Sequence, residues 1–116
     1  MSRKDYPETP DGRYFVAKGR LWRKTDPNLD DSTRRAAIKA LMQARRAIME
    51  EDDADRVSDE RSRVDKAKRR LGERGPVWWT DGAPDEGGRH PGNSSYADWW
   101  AALSEEARAR GEGSGR

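Results

Sequence analysis

Four residues that follow the tryptophan pair carry side chains suited to acid–base or metal chemistry: Asp81, Asp85, Arg89 and His90. Because a carboxylate or a histidine can act as a general base, a small enzyme with its site at these residues is one interpretation of the chain. His90 is the only histidine and there is no cysteine, which leaves too few nitrogen and sulfur ligands for a usual transition-metal site. Aspartates that close turns are the simpler interpretation, since Asp81-Gly82 is a turn signal. We therefore predict no catalytic residue, no metal site and no cofactor, and whether this loop is a site or only turns stays open.

Other sequence motifs of catalysis and ligand binding are incomplete or missing. Asp26, Asn28 and Asp30 match the first three ligand positions of a calcium loop, but Asp31 replaces its glycine and Ala37 its final glutamate. We interpret this stretch as a turn followed by a helix cap. The sequence has no nucleophile elbow, no phosphate-binding loop and no dinucleotide-binding fingerprint.

Tryptophan and arginine are the residues that most strongly indicate function. Five Trp and three Tyr are more rings than so short a chain is expected to bury, and exposed rings beside arginine resemble the hot spots of protein interfaces. The sequence predicts a non-enzymatic interaction protein that binds a protein partner or a second copy of itself through a Trp/Arg surface. The predicted binding residues are Arg20, Trp22, Arg23, Arg74, Trp78, Trp79, Asp81, Asp85 and Arg89. The predicted aromatic centre consists of Trp22, Trp78, Trp79 and Trp99.

Nucleic acid is the alternative partner. Basic residues recur along one side of each predicted helix, and such rows contact phosphates, while Trp22 could stack on a base. The basic residues are Arg35, Lys39 and Arg46 on the first helix, and Arg56, Arg63 and Arg70 on the second. The net charge is only +2, from 24 basic and 22 acidic residues, which is small for a nucleic-acid-binding protein. A protein partner is therefore the preferred interpretation.

The sequence patterns around these residues predict a mainly α fold. We expect an antiparallel helical hairpin, short Trp-rich extended segments that could form a minimal β-sheet, and a short C-terminal helix. The predicted bounds are a flexible arm over 1–11, a single small domain over 12–103 with helices 32–50, 54–73 and 95–103, and a disordered tail over 104–116.

The hairpin prediction depends on two apolar seams and one acidic run. Ala37, Leu41, Ala44 and Ile48 form a stripe on the first helix that Ile38, Met42 and Met49 widen, and Val57, Val64 and Leu71 recur every seven residues on the second. Acidic residues are unfavourable at the end of a helix and favourable at the start of the next, so residues 51–55 predict a break near Asp52–Asp53. One continuous helix is the alternative.

The extended segments flank the helices. Residues 13–17 and 20–23 predict two strands with a turn at Lys18-Gly19, or one strand with a bulge at Gly19, and residues 77–80 could add a third strand. Gly72 or Gly75 is expected to end the second helix. A capping box of Ser95 and Asp98 is expected to start the C-terminal helix.

The predicted location is the cytoplasm, with no membrane partner. No apolar run approaches the roughly 18 residues of a membrane span, and the first ten residues lack the apolar core of a signal peptide.

The segments GRLWR (residues 19–23) and LGERGPVWWTDGAPD (residues 71–85) also carry a resemblance. The chain resembles small bacterial proteins of unknown function that have similar segments around a charged helical middle, over about Gly12–Trp100. The resemblance implies a bacterial, cytoplasmic protein with no assigned activity, and it transfers no functional residue.

Overall fold

The computed structural model describes residues 6–113, which fold into two compact units. The strand unit comprises Met1–Lys24 and Asp81–Arg116, and the helical unit comprises Thr25–Thr80. The single domain predicted over 12–103 is thus divided, because the helical hairpin closes on a core of its own.

A β-hairpin is the centre of the strand unit. Strands β1 (Tyr14–Ala17) and β2 (Arg20–Arg23) pair antiparallel. Lys18 and Gly19 form the turn, with φ angles of 55° and 71°. A two-residue turn with positive φ at both positions matches the right-handed twist of paired strands. The predicted hairpin is confirmed, and the alternative of one bulged strand is not formed.

Backbone segments cover both edges of this hairpin. The Val16 N–H donates to the Pro7 carbonyl at 2.9 Å, and the Leu21 N–H donates to the Arg89 carbonyl at 2.8 Å. Thr9 is buried, with its N–H 3.0 Å from the Tyr14 carbonyl. The predicted flexible arm is therefore corrected for residues 6–11, which these backbone bonds attach to the sheet; residues 1–5 lie outside the described part.

Helices α1 (Asp31–Glu50) and α2 (Ala54–Arg70) form the hairpin of the helical unit. Asp30 caps α1 by accepting the Thr33 N–H at 2.7 Å. Asp53 caps α2 by accepting the Asp55 N–H at 2.9 Å. The predicted break in the acidic run is confirmed, and the continuous helix is excluded.

The two helices meet over a narrow seam. Its buried residues are Ala37, Leu41, Ala67 and Leu71, with Leu29 and Val64 partly buried against them. Helix α2 ends at Arg70 rather than at residue 73, because Gly72 turns into the left-handed region at φ 81°. The Glu73 N–H then donates to the Lys68 carbonyl at 2.9 Å and closes the helix end.

The segment after α2 forms no third strand. Gly75 at φ 78° turns the chain just before Pro76, and residues 77–80 have irregular backbone. Trp78 meets Trp79 edge-on, with ring centroids 5.2 Å apart, and Trp79 is only 8% exposed.

The C-terminal part of the strand unit contains more helix than expected. A 3₁₀ turn (Pro91–Asn93) precedes α3 (Ala97–Ala102) and α4 (Glu105–Glu112). The helix predicted over 95–103 is thus shorter, and Ser95 does not cap it, because the Ser95 N–H and hydroxyl both bind the Glu86 carboxylate.

Helix α4 corrects the predicted disordered tail over 104–113; residues 114–116 lie outside the described part. The Ser104 hydroxyl caps α4 by accepting the Ala107 N–H at 3.1 Å. Gly111 is buried so closely that a Cβ there would lie 2.9 Å from the Trp100 ring. None of the helices in residues 6–113 combines the length and apolar character that crossing a membrane requires.

Candidate functional site

The nine predicted binding residues are divided between the two units. Six belong to the strand unit: Arg20, Trp22, Arg23, Asp81, Asp85 and Arg89. Arg74, Trp78 and Trp79 belong to the helical unit. The predicted aromatic centre is divided in the same way, so each unit is described separately.

The hydroxyl of Tyr14 anchors the inner polar network of the strand unit. It accepts the Glu86 N–H at 2.8 Å and lies 3.5 Å from a carboxylate oxygen of Asp85. Arg23, whose side chain is only 5% exposed, lies 4.0 Å from the same carboxylate. Arg23 and Asp85 therefore hold the sheet to the 85–86 segment, and Arg23 is removed from the protein surface. Burial raises the pKa of Tyr14, although the bond from Glu86 opposes this shift.

The four residues considered for acid–base chemistry bind different partners. Asp81 pairs with Arg13, and this hydrogen bond lowers the pKa of Asp81. Arg89 lies 3.7 Å from Glu86, and the His90 Nε2 lies 3.0 Å from Glu112. Each of the four groups thus has different partners: Asp81 contacts Arg13, Asp85 contacts Tyr14 and Arg23, Arg89 contacts Glu86, and His90 contacts Glu112.

His90 has a geometric role in its loop. Its Nδ1 accepts the Gly92 N–H at 3.0 Å, which places the ring proton on Nε2, facing Glu112 at the end of α4. Its ring also meets Trp100 edge-on at 5.7 Å. Within residues 6–113, no group of three or more acidic or histidine side chains is arranged to hold a metal ion.

A second polar contact involves Tyr96. Its hydroxyl donates to Asp11 at 2.6 Å, and its ring meets Tyr14 edge-on at 5.6 Å. Burial raises the pKa of Tyr96, and the bond to Asp11 raises it further. For Asp11, burial acts to raise the pKa, but hydrogen bonds from Tyr96 and Thr9 outweigh it and lower the pKa.

The outer face of the β-hairpin is aromatic. Phe15 lies opposite Trp22 in the register of the strands, and the Tyr6 ring stacks on Phe15 at 5.9 Å. Trp22 is 38% exposed, and its indole N–H is fixed by the Ala17 carbonyl at 2.7 Å. Arg20 shares this side of β2 and is exposed. We name Tyr6, Phe15, Arg20 and Trp22 the aromatic face.

The predicted residues of the helical unit lie at the end of α2. Arg74 donates to Asp65 at 3.1 Å, and Arg69 donates to the same carboxylate at 2.8 Å. The hydrogen bond from Arg69 lowers the pKa of Asp65 most, and the hydrogen bond from Arg74 lowers it further. The Trp78 ring lies beside Gly72, where a Cβ would approach within 3.0 Å of it. Arg74 and Trp78 thus stabilise the end of the hairpin.

The outer side of α1 is a feature that sequence reasoning missed. Ile38, Met42 and Met49 were expected to widen the buried stripe, but they are 39%, 58% and 87% exposed. A two-helix hairpin buries only a narrow seam of each helix, so a stripe as wide as this one extends into solvent. The width of the stripe was the signal available in the sequence.

Comparison with known proteins gives no relative: no family model, no curated protein and no solved structure matches this chain.

Proposed function

We propose that this chain is a non-enzymatic interaction protein that binds a protein partner through the aromatic face of its β-hairpin. The Trp/Arg surface inferred from sequence is thereby narrowed to Arg20 and Trp22, with Phe15 and Tyr6 beside them. Arg23, Arg74, Arg89, Asp81 and Asp85 are each paired with a charged side chain of their own unit, and Trp79 is buried.

One observation supports this proposal above the others: the outward side of a two-stranded sheet carries aromatic rings. A sheet with one buried face normally presents polar residues on the other. Here the inward residues Tyr14, Val16 and Leu21 are at most 1% exposed, so the hairpin already has its core. Phe15 and Trp22 lie opposite each other on the outward side, and Trp22 is 38% exposed rather than part of that core.

The geometry favours binding to the face rather than to an edge. A peptide that adds a strand needs a free sheet edge, but residues 7–9 and 88–89 bind the two edges of this hairpin. The Trp22 indole is held by its hydrogen bond to the Ala17 carbonyl, which reduces the side-chain entropy lost on binding. A partner segment with apolar side chains and a carboxylate for Arg20 fits this surface.

The test is a pull-down from the native cell with matched baits. We expect wild type and Trp22→Tyr to retain the same identified protein, and Trp22→Ala and Arg20→Glu to lose it at least about tenfold, as for a hot-spot residue. Thermal unfolding of each bait checks that the fold survives, since the lost Ala17 bond costs about 1 kcal/mol.

Other outcomes contradict the proposal. Equal capture by all four baits places binding elsewhere.

Light scattering of the purified protein tests the version in which the partner is a second copy, with dimers expected for wild type and monomers for Trp22→Ala. Retention on DNA at low salt, lost steeply with added salt and reduced by Trp22→Ala, would support the nucleic-acid alternative instead.

A further inference from the structure

We infer that the outer side of α1 is a second binding surface, which takes an acidic amphipathic helix of a partner protein. This surface belongs to the helical unit and does not depend on the aromatic face. We name it the basic–apolar face, defined by Arg35, Ile38, Lys39, Met42, Gln43, Arg46 and Met49.

The apolar part of this face is a row of large side chains in solvent. Ile38, Met42 and Met49 are spaced by four and seven residues, which aligns them along one side of the helix. They are three of the four large apolar residues that are exposed within residues 6–113, the fourth being Trp22. Exposed apolar side chains gathered on one helix face mark interaction sites more often than scattered ones do.

The charged part of the face is a parallel row of cations. Arg35, Lys39 and Arg46 are spaced by four and seven residues, and with Ile38, Met42 and Gln43 they line a groove of about 400 Å³. No carboxylate lines this groove. Arg35 lies 3.8 Å from Asp31, and both side chains are largely exposed. Solvent weakens such an exposed ion pair, so Arg35 stays accessible to an anionic partner. The groove therefore has a strong positive charge bias.

Charge complementarity selects an acidic occupant. A helix that places apolar side chains over Ile38 and Met42, and glutamate or aspartate over Lys39 and Arg46, would satisfy both rows at once. The face extends over residues 35–49, about 21 Å or four helical turns, which is the length of an ordinary binding helix. Packing the side-chain ridges of one helix into the grooves of the other is the usual geometry of such pairs.

A second copy of the same face is a poor occupant. Arg35, Lys39 and Arg46 lie on one side of the apolar row, and Arg34 and Arg45 lie on the other side by helical position. Two copies facing each other in either direction would therefore bring cations against cations. Nucleic acid would pair with the cations but would leave Ile38 and Met42 uncovered, so it uses only half of the face.

The test uses a designed peptide probe and the whole 116-residue chain. The probe is an amphipathic helix of four turns with a leucine row beside a glutamate row, and a second probe has lysine in place of glutamate. We expect the glutamate probe to bind and to shift the amide resonances of residues 35–49, and the lysine probe to bind at least about tenfold more weakly.

Two variants with the same charge change make the result specific. Met42→Glu places a carboxylate in the face at a position that is 58% exposed, and Ser62→Glu places one on the exposed side of α2. We expect Met42→Glu to reduce affinity for the glutamate probe at least about tenfold and Ser62→Glu to change it little. Lys39→Glu should improve binding of the lysine probe.

Several results would overturn the inference. The two probes could bind equally well, or Met42→Glu and Ser62→Glu could have equal effects. The wild-type chain could also form a dimer that Met42→Glu dissociates. Binding to duplex DNA or to phosphatidylserine vesicles that is reduced by Met42→Glu, with no binding of the glutamate probe, would assign the face to another anion. Trp22→Ala should leave probe binding intact, so failure here is distinguishable from failure at the aromatic face.

Discussion

Trp22 differs from the other tryptophans in the solvent access of its ring. It is 38% exposed, whereas Trp79 and Trp100 are 8% and 6% exposed and Trp78 and Trp99 are half-buried. This distinction among residues of one type depends on which side of β2 the side chain occupies. Strand alternation places Leu21 and Arg23 inside and Trp22 outside.

The exposure of Trp22 gives a residue-scale prediction. Trp22→Phe keeps a ring opposite Phe15 but removes the indole with the greatest contact with water. We expect the tryptophan emission maximum to shift to shorter wavelength and the fraction quenched by acrylamide to fall. Trp99→Phe, at a half-buried position, is the control and should change both less. Unchanged quenching in Trp22→Phe would show that its ring is covered in solution.

Asp53 gives a prediction at the boundary between residue and element. Its carboxylate accepts the N–H groups of Asp55 and Arg56, while the neighbouring Asp52 makes no recorded side-chain contact. Asp53→Ala should therefore lower the free energy of unfolding by about 1 kcal/mol. Asp52→Ala, which removes the same charge, should have little effect. Urea denaturation followed by circular dichroism measures both, and equal losses would mean that charge rather than capping matters there.

At the scale of elements, the sequence predicts the helical hairpin well and the strand unit only in part. The acidic run and the seam of Leu41 and Leu71 depend on local charge and periodicity, which are visible in the sequence. Helix α4 was missed because the composition of the last residues resembles a flexible tail. Its order depends on Gly111 packing on Trp100 and on the Lys18 N–H binding the Gly113 carbonyl at 2.9 Å. Such contacts between distant residues leave no local pattern.

The candidate sites show the same limit. The sequence predicts a binding role for Arg20 and Trp22, and both side chains are exposed. It could not show that Arg23 would be buried beside Asp85, because that depends on which segment covers the inner face of the sheet. It assigned Ile38 and Met42 to the buried stripe, because apolar periodicity gives the width of a stripe but not how much of it another element covers.

Gly111 tests whether α4 docks as described. Alanine normally stabilises a helix relative to glycine by about 1 kcal/mol, but a Cβ here would lie 2.9 Å from the Trp100 ring and 3.1 Å from Val16. We expect Gly111→Ala to destabilise the strand unit by about 1–3 kcal/mol. Ala109→Gly, on the exposed side of α4, is the control and should cost only the loss of helix propensity. A gain of stability in Gly111→Ala, measured by urea denaturation, would contradict the docking.

At the scale of the whole chain, a net charge of +2 conceals local differences in charge. The basic–apolar face is positive, while residues 51–53 are all acidic. In the strand unit, many charges occur as pairs that hold one segment to another, such as Arg13 with Asp81 and Lys24 with Glu8. Added salt screens exposed charges, so the affinity of the basic–apolar face for an acidic partner should fall as the salt concentration rises.

Tyrosine ionisation should limit the stability of the strand unit at high pH. Tyr14 and Tyr96 both have pKa values raised above 10.0 in the folded chain, and burial is the largest cause for each. The unfolded chain loses these protons at lower pH than the folded one, so the stability they contribute is present below about pH 10 and is lost as the pH rises above it. Urea midpoints read from methyl resonances of Val16 and Leu21 should fall between pH 9 and pH 11.

Tyr96→Phe, which cannot ionise at that position, should show a smaller fall, and this comparison separates tyrosine from the lysines that titrate in the same range. Equal falls in wild type and Tyr96→Phe would mean that the Tyr96 hydroxyl is open to solvent and that its bond to Asp11 does not form.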